Sequence, residues 1–318
     1  MPPRMNQIAL SVVDRDVSRE FYRSLFGVPQ VGGTHFAGKT TEKVQGLPGA
    51  ASDVCWHMDD RAFFQLELFQ FACPVPRTFA AGRKPWDIGY SRIAVEVADL
   101  DRFHAACARR AVAGLSPIRQ VAGKPYFVLR DPNAVLIEVG AASGPLPAGV
   151  GARFVGVGLS VPSLDVALKS YRDAIGCKVL DAAPPDKGPL WDEPAGRKRS
   201  VVLDAGTAWL EITEYADPAP APWPDGYRIS DHGILNVAFG FREGDAIKDM
   251  VRRMVDGGFR PNTELVSSAG QVMVTYLNDP QGFNVEVLMV KPWLDGVMGF
   301  RKASAVDRVL MKIMMKLA

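Results

Sequence analysis

Four segments of this chain carry the same pattern, and that repetition limits the fold more than any other feature. Gln7-Ile-Ala-Leu-Ser-Val-Val-Asp14 alternates like a half-buried strand. Val17, Phe21, Leu25 and Phe26 follow at helical spacing, and Gly27 stops the helix. Gly156-Val-Gly-Leu-Ser-Val-Pro162 repeats the strand, Leu164, Ala167, Leu168, Tyr171 and Ile175 the helix, and Gly176 the stop. Fainter copies begin at Arg92-Ile-Ala-Val-Glu-Val-Ala98 and Asn236-Val-Ala-Phe-Gly-Phe241. Each copy closes on an apolar strand with a glutamate at its centre: Glu67, Glu138, Glu211 and Glu286. In the second and fourth copies Asp131-Pro132 and Asp279-Pro280 sit at a hairpin turn just ahead of that glutamate. The pattern predicts an α+β protein of four βαβββ units.

The units pair as two halves. An Ala, Gly and Pro-rich stretch at 141–151 separates residues 1–145 from 152–291, and Asp217-Pro-Ala-Pro-Ala-Pro-Trp-Pro224 separates the third unit from the fourth. Residues 292–318 lie outside the repeat. Val306, Val309, Leu310, Ile313, Met314 and Leu317 share one face there, which predicts a helix docked on the body or on a partner. Over 318 residues, 37 basic side chains nearly balance 35 acidic ones, so the clustered positive charge of a nucleic-acid binder is missing. No apolar run reaches the ~20 residues that span a bilayer. The N-terminal residues lack a secretory apolar region, and Cys55, Cys73, Cys107 and Cys177 form no C-x-x-C pair. A cytoplasmic protein with reduced thiols is expected.

The strand starts, the D-x-x-x-S-x-x-F-Y helix, the D-P-x-G turn and the apolar-Glu-apolar ending together resemble the vicinal oxygen chelate superfamily, over about residues 5–291. That superfamily includes glyoxalase I, methylmalonyl-CoA epimerase, bleomycin-resistance proteins and type I extradiol dioxygenases. Glu42-Lys-Val-Gln-Gly-Leu-Pro-Gly-Ala50 is most similar to its epimerase-like members. The resemblance implies two half-open mixed β-barrels with helices outside. It also implies metal ligands at the first strand and last strand of each unit. Carried onto this sequence, those positions are Gln7, Glu67, Arg92 and Glu138 in the N-terminal half. In the C-terminal half they are Gly156, Glu211, Asn236 and Glu286.

None of the eight is histidine, where relatives keep at least one. Arg92 cannot ligate a metal, because a guanidinium has no lone pair to give. It is expected to pair with Glu67 or Glu138, leaving the N-terminal site metal-free, or to hold a substrate oxygen with one of those glutamates as base. The C-terminal site is expected to be the open one. Gly156, Gly158 and Ser160 leave room on its inner face, with Trp209 and Tyr276 as further lining residues. Glu211, Asn236 and Glu286 there offer only oxygen, a set that suits Mn, Mg or Ca better than Zn or Fe, so a divalent metal (Mn, Mg or Fe) is the cofactor expected there. Without a cation, two carboxylates in one barrel raise each other's pKa and form an acid/base pair. His232 stands an even offset before Asn236 and is a candidate base. His57 reads as a satisfied buried residue, His35 and His104 as surface ones.

Three functions follow. The first is an isomerase or lyase that moves protons on a small carbonyl or vicinal-oxygen substrate. Glu286 or Glu211 is its base, and Asn236 and His232 stabilise an oxyanion. The second is an extradiol-type ring-cleaving dioxygenase, which needs histidines the matching positions lack. The third is a non-catalytic small-molecule binder of the resistance type, its cleft lined by Trp56, Phe69 and Trp209. A homodimer is compatible with all three.

Overall fold

A computed structural model describes residues 3–307, apart from 60, 80–81, 148–149 and 181–184. The helical face expected across 306–317 lies almost wholly outside the described residues. The four units appear in order. The first comprises β1 (Met5–Ser11), α1 (Arg15–Phe26), β2 (Gln30–Ala37), α2 (Lys39–Gln45), β3 (Ala51–His57) and β4 (Gln65–Cys73). The second comprises β5 (Gly89–Val97), α3 (Leu100–Arg109), β6 (Arg119–Val121), β7 (Lys124–Arg130) and β8 (Leu136–Ala141). The third comprises β9 (Ala152–Val161), α4 (Leu164–Leu168, continued by a π-helical stretch Lys169–Ile175), β10 (Lys178–Val179), β11 (Arg197–Asp204) and β12 (Trp209–Asp217). The fourth comprises β13 (Gly233–Phe241), α5 (Gly244–Asp256), β14 (Arg260–Pro261), β15 (Val266–Ser268), β16 (Val272–Asn278) and β17 (Asn284–Val290).

Local chemistry explains the helix ends. The Asp14 carboxylate accepts from the backbone N–H groups of Asp16 and Val17, Asp99 does so for α3, and Ser163 for α4. Gly27 and Gly176 close their helices with φ of 68° and 93°, a region where a Cβ is costly. The buried stripe of α1 is Ser18, Tyr22 and Phe26; Val17, expected on that face, is exposed.

The strands form two open mixed sheets, ordered β14-β16-β17-β13-β1-β4-β3-β2 and β10-β11-β12-β9-β5-β8-β7-β6. This corrects the expected pairing of units within each site. The first sheet joins units one and four, the second joins units two and three, so each curved sheet takes one unit from each half. The joints are antiparallel first strands, β1 against β13 and β5 against β9. Inward-facing alternation is identical for either pairing, so the alternation alone cannot choose the partner edge. Within the N-terminal half, units one and two stay linked through helix contacts instead. The Tyr22 hydroxyl of α1 donates to Asp131 of the second unit at 3.0 Å, and the ring of Phe26 meets Phe103 of α3 at 5.1 Å. One large core, including Ile8, Phe26, Ile93, Phe154, Val157 and Val237, fills the space behind both sheets. No helix among the described residues is long and apolar enough to cross a membrane.

Candidate functional site

The register converts the repeat into two pseudo-symmetric cups. Gln7 lies opposite Ala238 and Ala9 opposite Asn236, while Glu67 neighbours Ala9 and Glu286 neighbours Ala238. Period-two alternation therefore sends Gln7, Glu67, Asn236 and Glu286 to one face of the first sheet. In the second sheet Arg92 lies opposite Gly158, Ala94 opposite Gly156, with Glu138 and Glu211 beside them. The eight positions are thus regrouped: Gln7, Glu67, Asn236 and Glu286 in one cup, Arg92, Glu138, Gly156 and Glu211 in the other.

The cup of units two and three opens on a cavity of about 560 Å³ lined by Glu138, Lys187, Trp209 and Glu211, and its carboxylates are neutralised by its own cations. Arg92 reaches Glu138 and Glu211 at 2.8 Å each. Lys187 adds contacts of 2.6 Å to Glu138 and 3.5 Å to Glu211. Burial opposes the charge on Arg92, but Glu211 and Glu138 more than offset it and push its pKa up. Burial likewise works against ionised Glu211, yet Arg92 and Lys187 hold its carboxyl below the usual range. Two cationic side chains thus stand among the positions for which the resemblance implied a metal ion. Arg92 pairs with Glu138 as expected, not with Glu67, and its second partner is Glu211. Glu211 is therefore neither a free base nor a free ligand. The space expected beside Gly156 and Gly158 is filled: a Cβ on Gly156 would sit 2.1 Å from the Trp209 indole, and one on Gly158 2.3 Å from the Arg92 guanidinium. Ser160 is tied down through Oγ, which donates to the Trp86 carbonyl at 2.6 Å. Lys187 carried no signal in the sequence, because it lies in a loop outside the repeat.

The cup of units one and four differs in charge. It encloses a cavity of about 190 Å³ lined by Gln7, Trp56, Gln65, Glu67, Tyr276 and Glu286, with apolar walls from Phe36, Val44, Phe69, Val274 and Leu288. None of its lining residues is a basic side chain. Trp56 Nε1 donates to Glu67 Oε1 at 2.7 Å, and Gln7 Nε2 reaches Glu67 Oε2 at 3.3 Å. Burial pushes the Glu67 carboxyl up to about 7 against the Trp56 hydrogen bond. Burial and then the charge of Glu67 hold Glu286 far above the carboxylate range, opposed by the Tyr276 hydroxyl. Tyr276 pairs with Glu286 across β16 and β17, and burial and both glutamates keep its phenol protonated. Gln7 Oε1, Asn236 Oδ1 and Glu286 Oε2 are buried with no hydrogen-bond partner. Such orphaned acceptors call for a donor or a cation.

His232 does not join this cup. Its Nδ1 sits 2.7 Å from Thr78 Oγ1, and it lines a separate crevice where the segments between units meet. His57 is buried with Nδ1 3.0 Å from the Val28 carbonyl; His35 pairs with exposed Asp53; His104 donates toward Ser116. Trp56 and Phe69 do line the cavity, whereas Trp209 belongs to the other cup. Two features escaped the sequence. Helix α2 roofs the cavity through Thr40, Thr41, Val44 and Gln45, and Gln65 stands beside Gln7. A seven-residue helix gives too little periodicity to be read.

Comparison with known proteins agrees with this architecture. Residues 153–287 match the model of the Glyoxalase/Bleomycin resistance protein/Dioxygenase superfamily. A glyoxalase I variant from Zea mays superposes with a TM-score of 0.64 at 15% identity, covering 90% of this chain and 94% of that one. A candidate dioxygenase from Bacillus subtilis gives 0.65 at 12% identity, covering 97% and 95%. Wild-type glyoxalase I from Zea mays gives 0.59 at 16% identity, covering 90% and 92%. No curated protein matches the sequence significantly. The superfamily match is thus carried by residues 153–287, while the fold of four βαβββ units is shared with these solved structures along nearly the whole chain.

Proposed function

We propose that the cup of units one and four is an active site for proton transfer next to a carbonyl, an isomerase or lyase chemistry. The supporting observation is a pair of buried carboxyls, Glu67 and Glu286, in one cavity whose lining holds no basic side chain, with burial raising both and Glu286 the further. That divergence is how a site assigns one base and one acid at neutral pH. Glu67 is the base: its ionised form is held by Trp56 and Gln7. Glu286 is the acid, kept protonated by burial beside Glu67. Glu67 takes the proton from the carbon next to the carbonyl as Glu286 gives its own to the carbonyl oxygen. On an α-hydroxycarbonyl, Glu67 then returns its proton to the former carbonyl carbon while the adjacent hydroxyl gives its proton to the Glu286 carboxylate, which completes the isomerisation with both residues restored and no oxidant consumed. The phenol of Tyr276 and the amide of Gln7 orient the two oxygens. A cavity of about 190 Å³ with apolar walls fits a small, partly apolar substrate.

The same residues fit a hard divalent cation. Gln7, Glu67, Asn236 and Glu286 would hold it through oxygen alone, three of those oxygens being unpartnered in the structure. Bound there, Mn or Mg would supply a Lewis acid that polarises the substrate carbonyl. Among the described residues no three His, Cys, Asp or Glu side chains are placed to hold a metal, so the two carboxamides are needed to complete the set. The site lies between the halves, not in the C-terminal one. Iron chemistry of the ring-cleaving kind has weaker support, since no imidazole lines the cavity.

The test is hydrogen exchange followed by NMR in deuterated water. The protein, with and without Mn, is offered α-hydroxyketones and 2-oxoaldehyde–thiol adducts. Deuterium entering the carbon next to the carbonyl, lost in Glu67→Gln and in Glu286→Gln, supports the reading. Saturable binding without exchange would leave a non-catalytic binder instead.

A further inference from the structure

We infer a second ligand site, for a small phosphate or carboxylate, in the crevice where the segments joining units one to two and three to four meet. The crevice has a volume of about 90 Å³ and shares no lining residue with the carboxylate cup. Arg83 and Arg130 both line it. Each is anchored by backbone carbonyls only: Arg83 by Pro222 at 3.1 Å and Ile88 at 2.6 Å, Arg130 by Ala134 at 2.6 Å. A guanidinium carries five N–H donors, so both keep donors to spare. Burial lowers both pKa values, and the nearby carboxylates do not recover the loss.

Those carboxylates are already engaged. Asp87, the acidic side chain in the lining, accepts from the backbone N–H of Lys84 at 2.7 Å and of Ala221 at 2.9 Å. Asp131, near Arg130, accepts from Tyr22, Asn133 and Val135. Lys84 and His232 complete a lining in which positive charge exceeds negative. The His232 ring lines the crevice and is held through Nδ1 by Thr78. A flat apolar wall stands beside these donors, where the rings of Trp223 and Tyr227 stack at 4.5 Å. Half-buried guanidinia with spare donors and no ion pair among the described residues are a receptor for an oxyanion, which takes two charge-assisted hydrogen bonds at a time. The stacked rings suit a planar substituent on that anion.

Isothermal titration of the full chain at constant ionic strength tests this with three probes: inorganic phosphate, phenyl phosphate and benzoate. Saturable binding is expected, tightest for a probe with a ring. Arg130→Gln and Arg83→Gln should each weaken it at least about tenfold, the loss of a charge-assisted hydrogen bond. Glu286→Gln, in the carboxylate cup, should leave it unchanged, which separates this site from the proposed active site. Should either arginine variant unfold by circular dichroism, Lys84→Gln and His232→Gln replace it, each expected to weaken binding. Absence of saturable heat below about 10 mM, in the millimolar range where specific binding fades, overturns the inference. Binding indifferent to every crevice variant, or lost in Glu286→Gln, overturns it too.

Discussion

Replacing Arg92 by Gln should unmask the charges buried in the cup of units two and three. Arg92 is 3% exposed and holds two glutamates at 2.8 Å. The substitution keeps much of the side-chain volume but leaves two buried carboxyls with Lys187 alone. Breaking a buried ion pair from one side costs about 3–5 kcal/mol, because the stranded charge cannot be resolvated. That is a large share of the roughly 5–15 kcal/mol that holds a domain folded. The pH dependence gives a sharper signature. In the native protein Glu211 is held below its ordinary pKa, so its share of stability is present above that value and fades as pH falls through the lowered one. In Arg92→Gln the Glu211 carboxyl, left with burial as its main influence, should instead be raised on folding. Its contribution is then fullest below the ordinary pKa and is lost as pH rises through the raised one. Urea unfolding by tryptophan fluorescence at pH 5 and pH 8 measures both. The variant should lose more at pH 8 than at pH 5. A loss below about 1 kcal/mol, the scale of an exposed pair, or an equal loss at both pH values, refutes the view that Arg92 replaces a metal as counter-ion.

Other outcomes follow from the same geometry. Glu67 is raised to about 7, so its burial favours the folded state below its ordinary pKa and penalises it as pH climbs through 7. Glu67→Gln should therefore raise the thermal midpoint at pH 8 by more than at pH 5, read by calorimetry without Mn. Trp56→Phe removes the donor to Glu67 Oε1, so the rising limb of exchange activity against pH should move upward. Gly156→Ala drives a Cβ to 2.1 Å from Trp209; the indole must shift, at about 1–3 kcal/mol of stability, with the carboxylate cup unaffected. Titration with Mn should stabilise the native chain and not Glu67→Gln or Glu286→Gln, as thermal shift will show.

The inward glutamates were legible because alternation is local: Glu67 between Leu66 and Leu68 can face one side only. The tight stops at Gly27 and Gly176 were legible for the same reason. Which cup each residue enters was not. The choice between joining β1 to β5 or to β13 rests on long-range edges and on helix contacts such as Tyr22 with Asp131, which no short window contains. That is why Glu211 and Glu286, read together, stand in different cups, while Gln7 and Glu67 join Asn236 and Glu286. The room assigned to Gly156 failed for a related reason. A missing side chain shows that something approaches closely, and here the something is Trp209 rather than a ligand. Lys187 and α2 lay outside any repeating signal, so the second internal cation and the cavity roof were invisible.

The most direct measurement is a carbon-13 NMR titration of the glutamate carboxyls in the metal-free protein, with Glu67→Gln and Glu286→Gln for assignment. One resonance should titrate near 7 and vanish in Glu67→Gln. A second should stay protonated well beyond that in the native chain and move to lower pH once Glu67 is gone. Two carboxyls titrating independently in the ordinary range would mean that units one and four do not bring these side chains into one buried cavity, and the proposed acid and base would have no basis.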